Sequence, residues 1–515
     1  MEQTRQPASI FSPTDLGAIV EALLRSPTRL QPRTAALLAV TAVALGVLGA
    51  ALFYQTRPGL NIPLWHAVLV VALLLSARMS SVTLAPRQLA LLAGSVLPSA
   101  CIAWRGSEFL QFLDLCSAGL LMLLAIALPP RLGARRMGFV AFVFSLAVGL
   151  YSMATGALRL LLLVPRGAGS SGAASSLGRV GIALLLVLPL LVVFGALFIS
   201  ADAVFESWAT ALVTPNFDAF FPLVFWFVAC SCAAAGVFWC ALGFEAPDVP
   251  GAELPEPRRL RALETGIVLG ALVVLFALFV AVQLRYLFGG SDLVQSTVDL
   301  TYAEYARRGF FELVVASALL LPVLLTMSWA RSNDARATLA FRVLAGALVV
   351  LLSVVMASAL ERLRIYGDTF GLTELRLYAA VFLLWLAAVF VAFTATVLRD
   401  RTGEFVWAAV LLGVLTVIAL NVANPVALIA TTNTSRLDDG RSFDAVYASN
   451  LGADAVPVLV DRLERLAPAD RCVVARALLA KWSDAATERR GWNYGRMRAA
   501  DAVQENESRL LSACG

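Results

Sequence analysis

The sequence predicts an all-α fold: a polytopic transmembrane helix bundle of about twelve spans (roughly 11–13), followed by a small helical C-terminal tail. Three observations carry this. Hydrophobic residues make up 60% of the 515-residue chain, whereas soluble domains sit near 45–50%. Apolar runs of about twenty residues, the length needed to cross a bilayer, recur from Thr34 to Leu420. The runs are continuous, whereas a barrel would need alternating segments of about ten residues.

Taken in order, residues 1–33 form a polar N-terminal segment with Arg5, Arg25, Arg29 and Arg33. It lacks a signal-peptide cleavage pattern, so the first span is expected to act as an uncleaved signal anchor. Residues 34–423 form the transmembrane helical domain. Its expected spans are Thr34–Phe53, Leu60–Ala77, Gln88–Trp104, Phe109–Leu128, Met137–Leu158 and Val180–Ser200 in the first half. The second half has Ala219–Leu242, Leu263–Tyr286, Phe310–Ala330, Leu339–Leu360, Leu375–Leu398 and Phe405–Leu420. Pro98, Pro189 and Pro322 lie inside spans and predict packing kinks, which membrane helices tolerate. Gly167–Gly178 and Glu245–Pro257 read as links between spans. Residues 424–515 are polar, with amphipathic patterns at Ala453–Leu466 and Arg471–Trp482, and predict a soluble helical tail.

Composition excludes several classes. Net charge is only +5, and no basic stripe with interleaved aromatics is present, so nucleic-acid binding is not expected. The one histidine, His66, rules out His-rich metal sites and the HExxH pattern. The one lysine, Lys481, lies in the tail, which rules out an intramembrane Ser–Lys dyad. No P-loop occurs. The seven cysteines form no CxxC pair and are odd in number, so they read as small buried hydrophobes rather than a disulfide framework or zinc site. No cofactor, metal or catalytic residue is expected.

Orientation is only partly legible. Through the fourth loop the arginines favour the N-terminal side, which places the N-terminus in the cytoplasm. Arg258, Arg259, Arg261, Arg331, Arg336, Arg399 and Arg401 disagree, because twelve spans would put them outside. Either a span is miscounted or the arginines of the polar motifs do not vote.

Two short segments concentrate charge and tyrosine at the ends of spans. The first reads Leu284-Arg285-Tyr286-Leu287-Phe288-Gly289, then Tyr302-Ala303-Glu304-Tyr305-Ala306-Arg307-Arg308 and on to Glu312. The second runs through Glu361, Arg364 and Tyr366 to Glu374, Arg376 and Tyr378, an echo of the first that fits a degenerate two-helix repeat or coincidence. With Asp202 they share one face, because the loops that carry them are separated by pairs of spans. Charges at the membrane boundary are costly, so the cluster predicts a polar vestibule. The structural alternative is that capping and ion pairing account for them: Thr301 and Glu304 form a capping box, and Glu304, Arg308 and Glu312 lie four apart.

At Asp202 with Phe205, Gln283–Gly290, Tyr302–Leu313, Gly371–Tyr378, Asn424–Pro425 and Leu451–Pro457, the chain resembles the bacterial membrane proteins of the DUF4173 family, related to DUF4153. The resemblance implies a polytopic inner-membrane protein with no established activity, and it transfers no catalytic residue. Three functional classes follow: a transporter or channel with its vestibule built from segments 285–312 and 361–378; a non-enzymatic scaffold or signalling partner; and a lipid-modifying enzyme. The expected partners are the lipid bilayer and a membrane or cytoplasmic protein met through the tail.

Overall fold

The computed structural model describes residues 30–127, 139–163, 217–243, 260–288, 310–483 and 489–514, with isolated positions between 194 and 202. Among these residues the regular structure is helical, apart from one isolated bridge between Leu260 and Arg331. The long helices are α1 (Pro32–Phe53), α2 (Asn61–Met79), α3 (Pro86–Trp104), α4 (Glu108–Ala127), α5 (Phe139–Leu163) and α6 (Phe217–Phe238), which continues as a π-helical turn at Trp239–Gly243. They are followed by α7 (Ala262–Phe288), α8 (Phe310–Ala330), α9 (Ala335–Phe370), α10 (Glu374–Thr396) and α11 (Thr402–Ala423). Ten of the eleven are long and apolar enough to cross a membrane. The exception, α3, buries Gln88, Ser95 and Ser99 against its neighbours, which lowers its apolar content. Gln88 Nε2 donates to the Ala125 carbonyl at 2.9 Å, and Ser95 Oγ lies 2.9 Å from His66 Nε2. The chain is therefore an all-α, multi-pass membrane protein. The sixth expected span, Val180–Ser200, lies almost wholly outside the described residues.

The apolar exteriors of these helices need lipid. Only 17% of the apolar stretch of α7 is buried, and Leu263, Ile267, Leu275 and Leu278 point outward. Inside, the bundle has two separate cores. One is built on Leu38, Leu69, Leu73, Phe238 and Trp239 from the first half, and the other on Phe341, Leu348, Phe390 and Phe393 from the second, joined by Leu124 and Phe142 from the first. Close helix approach in the first half depends on glycine. A Cβ on Gly236 would lie 2.5 Å from the Met153 carbonyl oxygen, and one on Gly156 would lie 2.8 Å from the Gly236 Cα. Small residues at such crossings let backbones meet and gain dispersion contacts that lipid tails do not supply.

After α11 the chain folds into a helical cap: α12 (Pro425–Ser435), α13 (Ala445–Asn450), α14 (Val456–Asp461), α15 (Pro468–Trp482), α16 (Tyr494–Glu505) and α17 (Glu507–Ser512). Its third, separate core contains Ile429, Val456, Leu459, Leu463, Val474, Leu478 and Val503. The reading of the cysteines as mere hydrophobes fails here. Cys472 and Cys514 form a disulfide across a sequence separation of 42, their Cα atoms 4.7 Å apart. The sequence signal is weak because the two residues belong to no short motif and meet only when α15 and the chain end pack together. Cys101, Cys230 and Cys240 are buried thiols, as expected.

The cap rests on one face of the bundle. It meets the α1–α2 turn, where the Leu60 N–H donates to the Trp492 carbonyl, and the α3–α4 turn, where the Gly106 N–H donates to Asp454. It also meets the α9–α10 turn: the Leu372 N–H donates to Asn433 Oδ1 at 2.7 Å, and Arg436 donates to the carbonyls of Gly367 and Thr369. Gly371, at φ +83°, makes that last turn possible.

The opposite face carries the start of α1 and the α8–α9 and α10–α11 turns. There Arg331 and Arg342 both pair with Asp400, the latter at 2.6 Å. The direction of α6 corrects the count that set the later arginines against the earlier ones. Trp226 stacks on Phe53 with centroids 5.0 Å apart, and Gly243 lies against Leu30, so α6 runs antiparallel to α1. In consequence Arg33, Arg78, Arg87, Arg261, Arg331, Arg336, Arg399 and Arg401 all sit at helix ends on the face away from the cap.

Candidate functional site

Where the cap meets α3 and α4, polar groups are buried in a continuous chain. Arg105 follows the last residue of α3, and its Nε donates to the Asn421 carbonyl on α11 at 2.7 Å. Asn421 Nδ2 in turn donates to Asp114 Oδ1 on α4 at 2.8 Å. Asp114 and Asn421 are both fully buried, and Asp114 Oδ2 and Asn421 Oδ1 have no hydrogen-bond partner among the described residues. At 1.5 Å per residue, Asp114 lies about 9 Å below the start of α4, within a membrane span. An ionisable group at such depth is costly and marks a functional position by default.

On the cap side, Asp454 Oδ2 accepts from the Gly106 N–H at 2.7 Å, and Oδ1 lies 3.9 Å from Arg105 Nη1. Burial raises the pKa of Asp454 in spite of both partners, and burial lowers that of Arg105 while Asp454 opposes it. Both shifts say that desolvation outweighs this long ion pair, as is common for buried charges. Asn493 completes the joint, its Nδ2 donating to the carbonyls of Ile102 and Arg105, and Gln111 Nε2 donates to the same two carbonyls from α4.

Beside this joint lies a cavity of 840 Å³. Its membrane half is lined by Ile62, Ile102, Phe109, Phe112 and Leu115, and its cap half by Asn450, Gly452, Ala453, Lys481, Trp482 and Arg496. Arg57, Glu108, Gln111 and Glu374 stand between the two. Phe109, Phe112 and Leu115 are each about half exposed along one side of α4, so the cavity is continuous with a lipid-facing surface. Arg496 is fixed by the carbonyls of Pro58 and Gly491 at 2.7 and 2.5 Å. Lys481 and Arg57 are exposed, and Lys481 stacks over Trp482 at 5.6 Å. The site therefore offers cations at the water boundary above an apolar wall.

The residues singled out from the sequence fare unevenly. Tyr302, Glu304, Tyr305, Arg307 and Arg308 lie outside the described residues, as does the side chain of Arg285 on α7. Asp202 and Glu312 are exposed. Glu361 and Arg364 form an exposed pair at 4.0 Å, one helical turn apart. The segment from Tyr366 to Tyr378 turns toward the cap. Arg376 stacks over Tyr366 at 4.2 Å and donates to the Gly371 carbonyl. The Glu374 N–H donates to the Tyr447 hydroxyl at 2.9 Å, and Tyr378 packs on Phe109 with its hydroxyl 3.4 Å from Ser107 Oγ. Among the described candidate residues, only Glu374 lines the cavity. Sequence reasoning passed over Asp114, Asn421, Arg105 and Asp454. Asp114 was visible as a lone acid inside an apolar run, whereas the other three gain meaning only from the fold.

The DUF4153 family profile, described as a domain of unknown function, matches residues 92–462. No curated protein and no solved structure matches the chain.

Proposed function

For this chain, which belongs to the DUF4153 family, we propose a transporter whose vestibule is the cavity beneath the cap. The observation that carries the reading is Asp114: a carboxylate inside a span, one oxygen unpartnered among the described residues, on the same helix that lines the cavity through Gln111 and Leu115. Polar groups at membrane depth survive only where they line a path or meet a partner. This moves the vestibule from segments 285–312 and 361–378 to the joint of α3, α4 and the cap, with Glu374 common to both. The cap's many bonds to the spans favour its role as the cavity's roof over that of a free docking arm. The test is accessibility of Ser117, a turn deeper than Asp114. In a Cys116→Ser background, Ser117→Cys in oriented vesicles should react with a water-soluble maleimide supplied on either side alone. Reaction from the cap side only makes the chain a binding protein, and the transport reading fails.

We also infer that α1 begins in the cytoplasm and that the cap lies outside the plasma membrane. The face away from the cap holds Arg33, Arg78, Arg87, Arg261, Arg331, Arg336, Arg399 and Arg401, while helix ends beneath the cap hold Arg57, Arg105, Arg362, Arg364 and Arg376. Short-loop arginine marks the cytoplasmic side, and a segment as long as the cap does not vote. The Cys472–Cys514 bridge points the same way, because disulfides persist in oxidising compartments. A phosphatase fused after residue 515 should be active, and a fluorescent protein that folds only in the cytoplasm should stay dark there. The reverse pattern overturns the orientation.

A further inference from the structure

We propose that the cavity beneath the cap holds the headgroup of a membrane glycerophospholipid that carries both a phosphate and a protonated amine. This rests on the reading of that cavity as the working site and names its ligand class. Three features select it. The first is mixed charge: Arg57, Lys481 and Arg496 supply cations for a phosphate, and Glu108 and Glu374 supply carboxylates for an ammonium. A purely anionic headgroup would leave those acids facing like charge, and a purely cationic ligand would be repelled by Arg57, Lys481 and Arg496. The second is the wall below. Phe109, Phe112 and Leu115 form an exposed apolar strip down α4 from the cavity into the bilayer region, where an acyl chain can lie. The third is access: the cavity sits at the membrane boundary and opens beside that strip, so a lipid reaches it by lateral diffusion without leaving the bilayer. Arg496 is held rigid by two backbone carbonyls, whereas Arg57 and Lys481 extend from exposed positions and can close on a phosphate.

Native mass spectrometry of the delipidated full-length protein tests this with three probes: phosphatidylethanolamine, phosphatidylglycerol and water-soluble glycerophosphoethanolamine. Phosphatidylethanolamine is expected to bind at least about tenfold more tightly than either of the others, a difference of about 1.4 kcal/mol. The double variant Arg57→Gln/Lys481→Gln should bind phospholipid about tenfold more weakly, and Glu108→Gln should erase the preference for ethanolamine while keeping phospholipid bound. Phe112→Ala, which leaves every charge in place, should weaken the lipid and not the soluble headgroup, and it guards against misfolding of the charge variants. Equal binding of the two phospholipids overturns the proposal, as does tight binding of glycerophosphoethanolamine or indifference to all these variants. The two readings separate cleanly. Two-sided labelling of Ser117→Cys with no lipid preference removes the ligand and leaves transport, and the converse removes transport and leaves a lipid-binding protein.

Discussion

Replacing Asp454 by alanine probes the joint that holds the cap on the bundle. The wild-type carboxylate accepts from the Gly106 N–H at 2.7 Å and faces Arg105 at 3.9 Å, and its side chain is only 4% exposed. A hydrogen bond to a charged acceptor contributes about 1.5–3 kcal/mol, and an orphaned buried donor costs about 1–3 kcal/mol. These two figures overlap, since both describe the same N–H. The ion pair adds little at its length, and Arg105 keeps its bond to the Asn421 carbonyl. Part of the loss is recovered because the carboxylate no longer has to be desolvated. The expected net is about 1–2 kcal/mol, or a fivefold to thirtyfold rise in the undocked fraction of caps. Limited proteolysis of the full-length protein in detergent reads that fraction, because cleavage follows the open population when opening is fast. Asp461→Ala, on the exposed side of the cap, serves as control. If Asp454→Ala is cut no faster than this control, the joint does not hold the cap.

Other outcomes follow from the same geometry. Burial raises Asp454 above its unfolded value near 3.9, so the folded state holds the proton more tightly. Docking should therefore weaken as pH rises from about 4 through the folded-state pKa and then level off, and Asp454→Asn should flatten that dependence in the proteolysis assay. Cys514→Ser opens a loop with a separation of 42, which chain entropy values at about 4 kcal/mol. Cap protection in non-reducing buffer should drop accordingly and match that of the reduced wild type. Gly236→Leu drives a side chain into the Met153 backbone, and the monodisperse fraction after detergent extraction should collapse, whereas Gly266→Leu, where a Cβ meets open space, should be tolerated. Asp114→Asn keeps a hydrogen-bonding partner for Asn421 and should leave expression intact, so any loss of function in that variant reports the charge and not the fold.

The membrane character of the chain was legible because length and continuity of apolar runs are properties of single helices. Eleven of the expected spans correspond to described helices; Phe310–Ala330 coincides with α8, and the other ends lie within about five residues. The exception is α9, which extends ten residues past its expected end at Leu360, through the Arg- and Tyr-rich stretch to Phe370. Facing was harder to read. Whether Arg331 shares a face with Arg33 depends on how α6 docks on α1, through Gly46, Gly49, Ser231 and Trp226. No local pattern encodes that choice. The site was hidden for a similar reason. Arg105, Asn421 and Asp454 come from three distant parts of the chain, and dense local charge drew attention to exposed groups such as Glu361 and Arg364 instead.

The cap is fastened at Leu60 and Gly106 on one side and at Gly367, Thr369 and Leu372 on the other, so it spans two helix groups that also meet within the bundle, where Leu124 and Phe142 join the core of the second half and Asn421 bonds to Asp114. Such a tie limits how far the two groups can part on the capped face, and the shared core resists their parting below it.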